Sequence, residues 1–99
     1  MRITPEQAHT IMTTIGHCAG RDVRVILFGS RVDDTRKGGD IDLLIESATP
    51  PGLLVRAQIK ASLENSLQIP VDVIAKPAHS NATAFQSIAL LTGILLGAT

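Results

Sequence analysis

The stretch "LFGSRVDDTRKGGDIDLLIE", Leu27 to Glu46, decides how the chain reads. It closes an apolar run with Gly29-Ser30, crosses a polar loop, and enters an alternation of acidic and apolar residues. Successive strand side chains point to opposite faces. In "DIDLLIE", residues 40–46, Ile41, Leu43 and Ile45 therefore turn one way, where helices can cover them. Asp40, Asp42, Leu44 and Glu46 turn the other way. Asp40 and Asp42 share a face, with backbones about 6–7 Å apart at roughly 3.3 Å rise per residue.

Working outward, "VRVILF", residues 23–28, is rich in β-branched and aromatic types and reads as a strand. Before it, "TPEQAHTIMTTIGHCAG" reads as a helix. Thr4 suits the N-cap, Pro5 the first helical position, and Gln7 completes a capping box. Ile11, Met12, Ile15 and Ala19 make its apolar stripe, and Gly20 its stop. Pro50, Pro51 and Gly52 interrupt the chain after the acidic strand. "LLVRAQIKASLENSL" follows as a helix that buries Val55, Ile59, Leu63 and Leu67 and turns Arg56, Lys60 and Glu64 outward. "VDVIA", residues 71–75, reads as a third strand broken by Lys76-Pro77. "SNATAFQSIALLT" reads as a last helix capped by Ser80 or Asn81 and ending at Gly93, and the "ILL" beyond it admits an extended reading. The order helix, strand, strand, helix, strand, helix predicts an α+β fold in two layers. A small mixed three-stranded sheet is covered by helices in a single domain over residues 1–99.

The same alternation in "VDVIA" sets Asp72 and Ile74 opposite Val71, Val73 and Ala75. If the strands pair, Asp72 joins Asp40 and Asp42. Three crowded carboxylates repel one another and resist ionising. A divalent cation removes that conflict, and hard oxygen ligands with room for phosphates suit Mg²⁺. Two such ions about 3.5–4 Å apart would clamp a phosphoryl group during in-line displacement. Gly29 and Ser30, at the end of the first strand, then read as a phosphate cradle. Glycine admits close backbone approach, and a turn there can aim N–H groups at an anion. Arg31 reads either as a phosphate ligand or as a surface arginine.

Composition narrows the alternatives. Nine basic residues balance nine acidic ones, there is no Trp or Tyr, and only Phe28 and Phe85 offer rings. That argues against direct nucleic-acid binding. A single cysteine, Cys18, and no signal-peptide pattern in "MRITPEQAHT" point to a reduced cytoplasm. The longest apolar stretch, "IALLTGILLGA", is far short of a membrane span. It reads as core, with a surplus that would serve a homo-oligomer interface. Asp33, Asp34, Arg36 and Lys37 read as a solvated loop, and Glu46 as a solvated acid beyond the site. His9, His17 and His79 lack ligand spacing, and Cys18 reads as a small buried hydrophobe.

"FGSRVDDTRKGGDIDLLIE" together with "VDVIA" resembles the minimal nucleotidyltransferases of the DNA polymerase β-like superfamily, antitoxin type. That family's pattern is hydrophobic-Gly-Ser, then Asp-x-Asp, then a later acid between hydrophobics. Gly29, Ser30, Asp40, Asp42 and Asp72 match it one by one, and the element order fits the whole chain. Nine residues separate Ser30 from Asp40, a shorter loop than is usual in the antitoxin branch. Arg31, Arg36 and Lys37 would then grip a triphosphate differently. The resemblance implies a palm-like nucleotidyltransferase fold and Mg²⁺-dependent transfer of a nucleoside monophosphate, AMP from ATP, to a hydroxyl group. It implies Asp40, Asp42 and Asp72 as catalytic metal ligands and Gly29, Ser30 and Arg31 as phosphate contacts. It further implies a HEPN-type partner, this chain being the antitoxin of the pair. The alternative is a non-catalytic antitoxin that neutralises its partner by covering it. Small-molecule modification is a weaker third reading, since the chain has no acceptor domain.

Overall fold

The computed structural model describes residues 3–20, 22–28, 40–77 and 93–98. Helix α1 spans Pro5–Ala19. Its start is fixed by a reciprocal capping box: the Gln7 N–H donates to Thr4 Oγ1 at 3.1 Å, and the Thr4 N–H donates to Gln7 Oε1 at 2.8 Å. It ends at Gly20, whose φ of 85° is a conformation side chains other than glycine's rarely allow. Strand β1 is Val23–Phe28, β2 Ile41–Ser47, helix α2 Leu53–Leu67, β3 Val71–Pro77 and β4 Ile94–Ala98.

The sheet order is β3-β2-β1-β4. Strand β1 runs antiparallel to both β2 and β4, whereas β2 and β3 are parallel. Parallel neighbours need a crossover, and α2 supplies it. The architecture is the expected mixed α+β arrangement, with four strands rather than three. The extra strand is the extended stretch after Gly93. It takes residues 94–98 of the apolar C-terminal segment into the sheet, and there Leu95 remains half exposed. β3 continues through Lys76 and Pro77 instead of breaking there. Pro77 ends an edge strand, where a missing N–H costs no ladder bond. The expected last helix lies outside the described residues.

Each face of the sheet has its own apolar cluster. On one face Ile11 and Ile15 of α1 and Ile59 and Leu63 of α2 close over Val25, Leu27, Ile41, Leu43, Ile45 and Val71, all fully buried. Val55 and Leu67 extend the α2 stripe at its ends. On the other face Ile26, Phe28 and Leu44 form a smaller cluster with Ile74 beside them. The register lines this second face into three rows across β1, β2 and β3. They are Phe28–Asp42–Asp72, Ile26–Leu44–Ile74 and Arg24–Glu46–Lys76.

The third row corrects the expectation for Glu46. It is buried, not solvated, and its carboxylate bridges two cations. Arg24 Nη1 lies 2.6 Å from Glu46 Oε1, and Lys76 Nζ lies 3.4 Å from Oε2. Lys76 is itself buried and also donates to the Pro77 carbonyl at 2.9 Å. Buried charges persist when paired and hydrogen-bonded. Among the described residues, no helix is long and apolar enough to cross a membrane.

Candidate active site

The first row gathers the acids. Parallel pairing sets Asp42 directly beside Asp72, with Phe28 on its other side. Asp40 sits immediately before β2 and is exposed. Asp42 is half-buried, and the Asp72 side chain is 61% exposed, so the row opens to solvent at the edge strand. Burial pushes the Asp42 carboxyl above the usual carboxylate range. The negative charges of Asp72 and then Asp40 push it further, as does a hydrogen bond that protonated Asp42 can make to Asp72. The three acids therefore share one electrostatic site, centred on Asp42. As the side chains stand, no three His, Cys, Asp or Glu residues among those described converge to hold a metal ion. The donor set, all carboxylate oxygen with an exposed side, is nonetheless the chemistry a hard divalent cation takes.

A cation lies at the outer edge of this row. Lys60 Nζ on α2 is 3.6 Å from Asp72 Oδ1. The same nitrogen donates to the Val71 carbonyl at 2.6 Å and to Glu64 Oε2 at 3.0 Å. Glu64 Oε2 in turn accepts the Val71 N–H at 2.8 Å. The bond to Glu64 holds the Lys60 ammonium above its ordinary range, and the Val71 N–H, followed by Lys60, holds the Glu64 carboxyl below its own. The sequence reading turned both residues outward. Their spacing of four on a helix predicts only a pair with each other; their reach to β3 depends on how the helix lies on the sheet.

Gly29, Ser30 and Arg31 lie outside the described residues, as do Asp33, Asp34, Arg36, Lys37 and His79. In the chain, Gly29 and Ser30 directly follow Phe28, the β1 residue paired with Asp42. His9 and His17 are on α1 and take no part in the site. Cys18 is a free thiol, partly buried against the main core.

Comparison with solved structures returns the same fold at low sequence identity. The chain superposes on one from a complex of tri-AMPylated HEPN toxin with MNT antitoxin from Shewanella oneidensis, with a TM-score of 0.74 and 20% identity. The match covers 95% of this chain and 71% of that one. A toxin–antitoxin structure with AMP-PNP gives 0.77 and 22%, over 93% and 73%. A MntA–HpeT mutant in which two aspartates, two residues apart, are changed to glutamate gives 0.77 and 20%, over 93% and 73%. No curated protein matches. The family model of the nucleotidyltransferase domain matches residues 11–92, from the first buried turn of α1 to the threshold of β4. The chain thus belongs to the nucleotidyltransferase domain family.

Proposed function

We propose that this protein is a divalent-metal-dependent nucleotidyltransferase that moves AMP from ATP to a hydroxyl group on a HEPN-type partner, and that it is the antitoxin of that pair. The observation that carries this reading is the parallel alignment of Asp42 with Asp72, with Asp40 acting on the same site. The Asp42 carboxyl is raised first by burial and then by the negative charges of Asp72 and Asp40, so an added cation would favour its ionised form. Structural relatives in complex with AMP-PNP and with an AMPylated HEPN toxin support the choice of nucleotide and acceptor.

Asp40, Asp42 and Asp72 would hold the metal, two ions being the arrangement that suits in-line displacement. Bound there, the metal would polarise the phosphoryl oxygens and offset the charge that develops on them. Gly29, Ser30 and Arg31 would take the phosphates, since in the chain they directly follow Phe28, the β1 residue paired with Asp42. Asp72, on the edge strand, would meet the acceptor and accept its hydroxyl proton. The acceptor oxygen then bonds to the α-phosphorus, the bond from that phosphorus to the bridging oxygen breaks, and pyrophosphate leaves.

The test mixes the chain with a HEPN-type partner, Mg²⁺ and ATP labelled at the α-phosphate. Label should enter the partner, and chelator or Asp42→Asn should prevent it. Entry of γ-phosphate label instead would make the protein a kinase and refute the reading. A second reading rests on Leu53 and Leu54, 76% and 73% exposed at the start of α2. They offer an apolar contact through which the chain would neutralise a partner without chemistry. It wins if Asp40→Asn, Asp42→Asn and Asp72→Asn variants all still neutralise the toxin in cells.

A further inference from the structure

Strand β3 is an edge of the sheet, and its first residue shows how that edge is finished. The Pro70 carbonyl accepts the Ile41 N–H at 2.9 Å, so it faces β2. Neighbouring peptide groups on a strand alternate in direction, so the Val71 N–H and C=O face away from β2, where a fifth strand would otherwise bind them. Helix α2 takes both: Glu64 accepts the N–H and Lys60 donates to the C=O. That carbonyl belongs to the peptide bond leading into Asp72. Lys60 is tethered by two close bonds, to Glu64 and to Val71, and stands beside the Asp72 carboxylate at the longer distance of 3.6 Å.

We propose that Lys60 and Glu64 are a positioning pair that fixes Asp72 against Asp42 from behind the sheet edge, so that α2 sets the geometry of the metal-binding row. The proposal rests on the reading of Asp72 as a metal ligand. Asp42 belongs to a strand held on both sides, by β1 and β3, and Asp40 immediately precedes that strand. Among the described residues Asp72 has a strand partner on one side only, and α2 supplies the other. The pair touches neither nucleotide nor acceptor in this assignment and acts through Asp72.

The test is Mn²⁺ affinity, read by calorimetry on the whole chain, for Lys60→Met and Glu64→Gln. A purely electrostatic role moves the two in opposite directions: loss of a nearby cation tightens Mn²⁺ binding, and loss of a nearby anion weakens it. A positioning role weakens both, by roughly threefold or more for residues coupled this closely. Circular dichroism and a melting curve establish that each variant is folded, and Lys60→Gln replaces the methionine variant if that one does not fold. In an Asp72→Asn background neither substitution should change Mn²⁺ affinity further. Tighter binding by Lys60→Met, unchanged binding by either variant, or an undiminished loss in the Asp72→Asn background overturns the positioning role. Unchanged affinity in Asp72→Asn alone instead overturns the reading of Asp72 as a ligand.

Discussion

Replacing Glu46 with leucine tests whether the ionic row on the second sheet face locks the register that the acids depend on. At the 3.4 Å separation of Lys76 Nζ and Glu46 Oε2, two unit charges attract by about 5 kcal/mol at an effective dielectric of about 20. Desolvation of each ion costs several kcal/mol, so the intact pair is close to neutral in its net contribution. Its removal is not neutral. Glu46→Leu leaves Lys76, with a side chain only 6% exposed, facing the Pro77 carbonyl and no counter-ion among the described residues. An uncompensated buried charge costs about 3–5 kcal/mol. For a chain of this size each kcal/mol is worth about 4–8 °C in melting temperature, so the midpoint should fall by about 12 °C or more. Lys76→Met should cost clearly less, because Glu46 keeps Arg24 at 2.6 Å and Arg24 is half exposed. The double variant Glu46→Leu/Lys76→Met should return to within about 1 kcal/mol of the parent, since well-packed apolar residues replace buried ion pairs at little cost. Urea titrations of the four proteins in excess chelator measure all three quantities. A single Glu46→Leu cost below about 1 kcal/mol, or a double variant no more stable than Glu46→Leu, would refute the reasoning.

Three further outcomes follow from the site and the core. Asp42→Asn should stabilise the metal-free protein at pH 7. The raised Asp42 pKa means the folded state holds its proton more tightly than the unfolded chain, so this acid costs stability as pH rises from the ordinary carboxylate range through the raised value. The advantage should shrink toward pH 4 in chelator melts, and an advantage that grows there would contradict it. Leu63→Ala, at a fully buried contact between α2 and the sheet, should cost about 2–5 kcal/mol in urea unfolding. A smaller loss would show that α2 is not anchored there. Ser30→Ala should weaken ATP binding by a margin near the roughly 1.5–3 kcal/mol of a hydrogen bond to a charged group, measured by calorimetry with Mg²⁺. Unchanged affinity would remove Ser30 from the phosphate contacts.

Much of this was legible in the sequence because the decisive signal has a period of two. Alternation in "DIDLLIE" and "VDVIA" assigned Asp40, Asp42 and Asp72 to one face; the parallel register of β2 with β3 sets Asp42 beside Asp72, while Asp40 stands immediately before β2. The capping box at Thr4 and Gln7 was equally readable, since it depends on residues three apart. What escaped depends on distant pieces of chain. Glu46 and Lys76 each follow an aligned aspartate by four residues, so a parallel register that pairs Asp42 with Asp72 must pair them too. That step needed the strand direction, which alternation alone does not provide. The extended reading of "ILL" stopped short of a fourth strand because "ILLGA" has no polar alternation and β4 takes its identity from pairing with β1. The bonds from Lys60 and Glu64 to Val71 depend on how α2 lies over the sheet, and nothing in a helical periodicity encodes that.

The two polar rows of the second face bear on function because they occupy the same strands under the same constraints. In one, Glu46 lies between Arg24 and Lys76, so its charge is met on both sides and the row can be buried. In the other, Asp42 lies between Phe28 and Asp72, with Asp40 adding repulsion, and Lys60 stands beside Asp72 at the outer edge. The fold is therefore able to neutralise a strand acid on this face and does so four residues further along β2 and β3. Where it concentrates acids instead, the row is open to solvent and lies next to the Gly-Ser segment in the chain. Repulsion of that kind lowers stability when the protein is empty and is relieved when a cation binds. The acidic row thus makes sense as a place prepared for positive charge from outside the chain. The ionic row, whose Glu46 on β2 meets Arg24 on β1 and Lys76 on β3, favours the one register that keeps Asp42 and Asp72 off the core face.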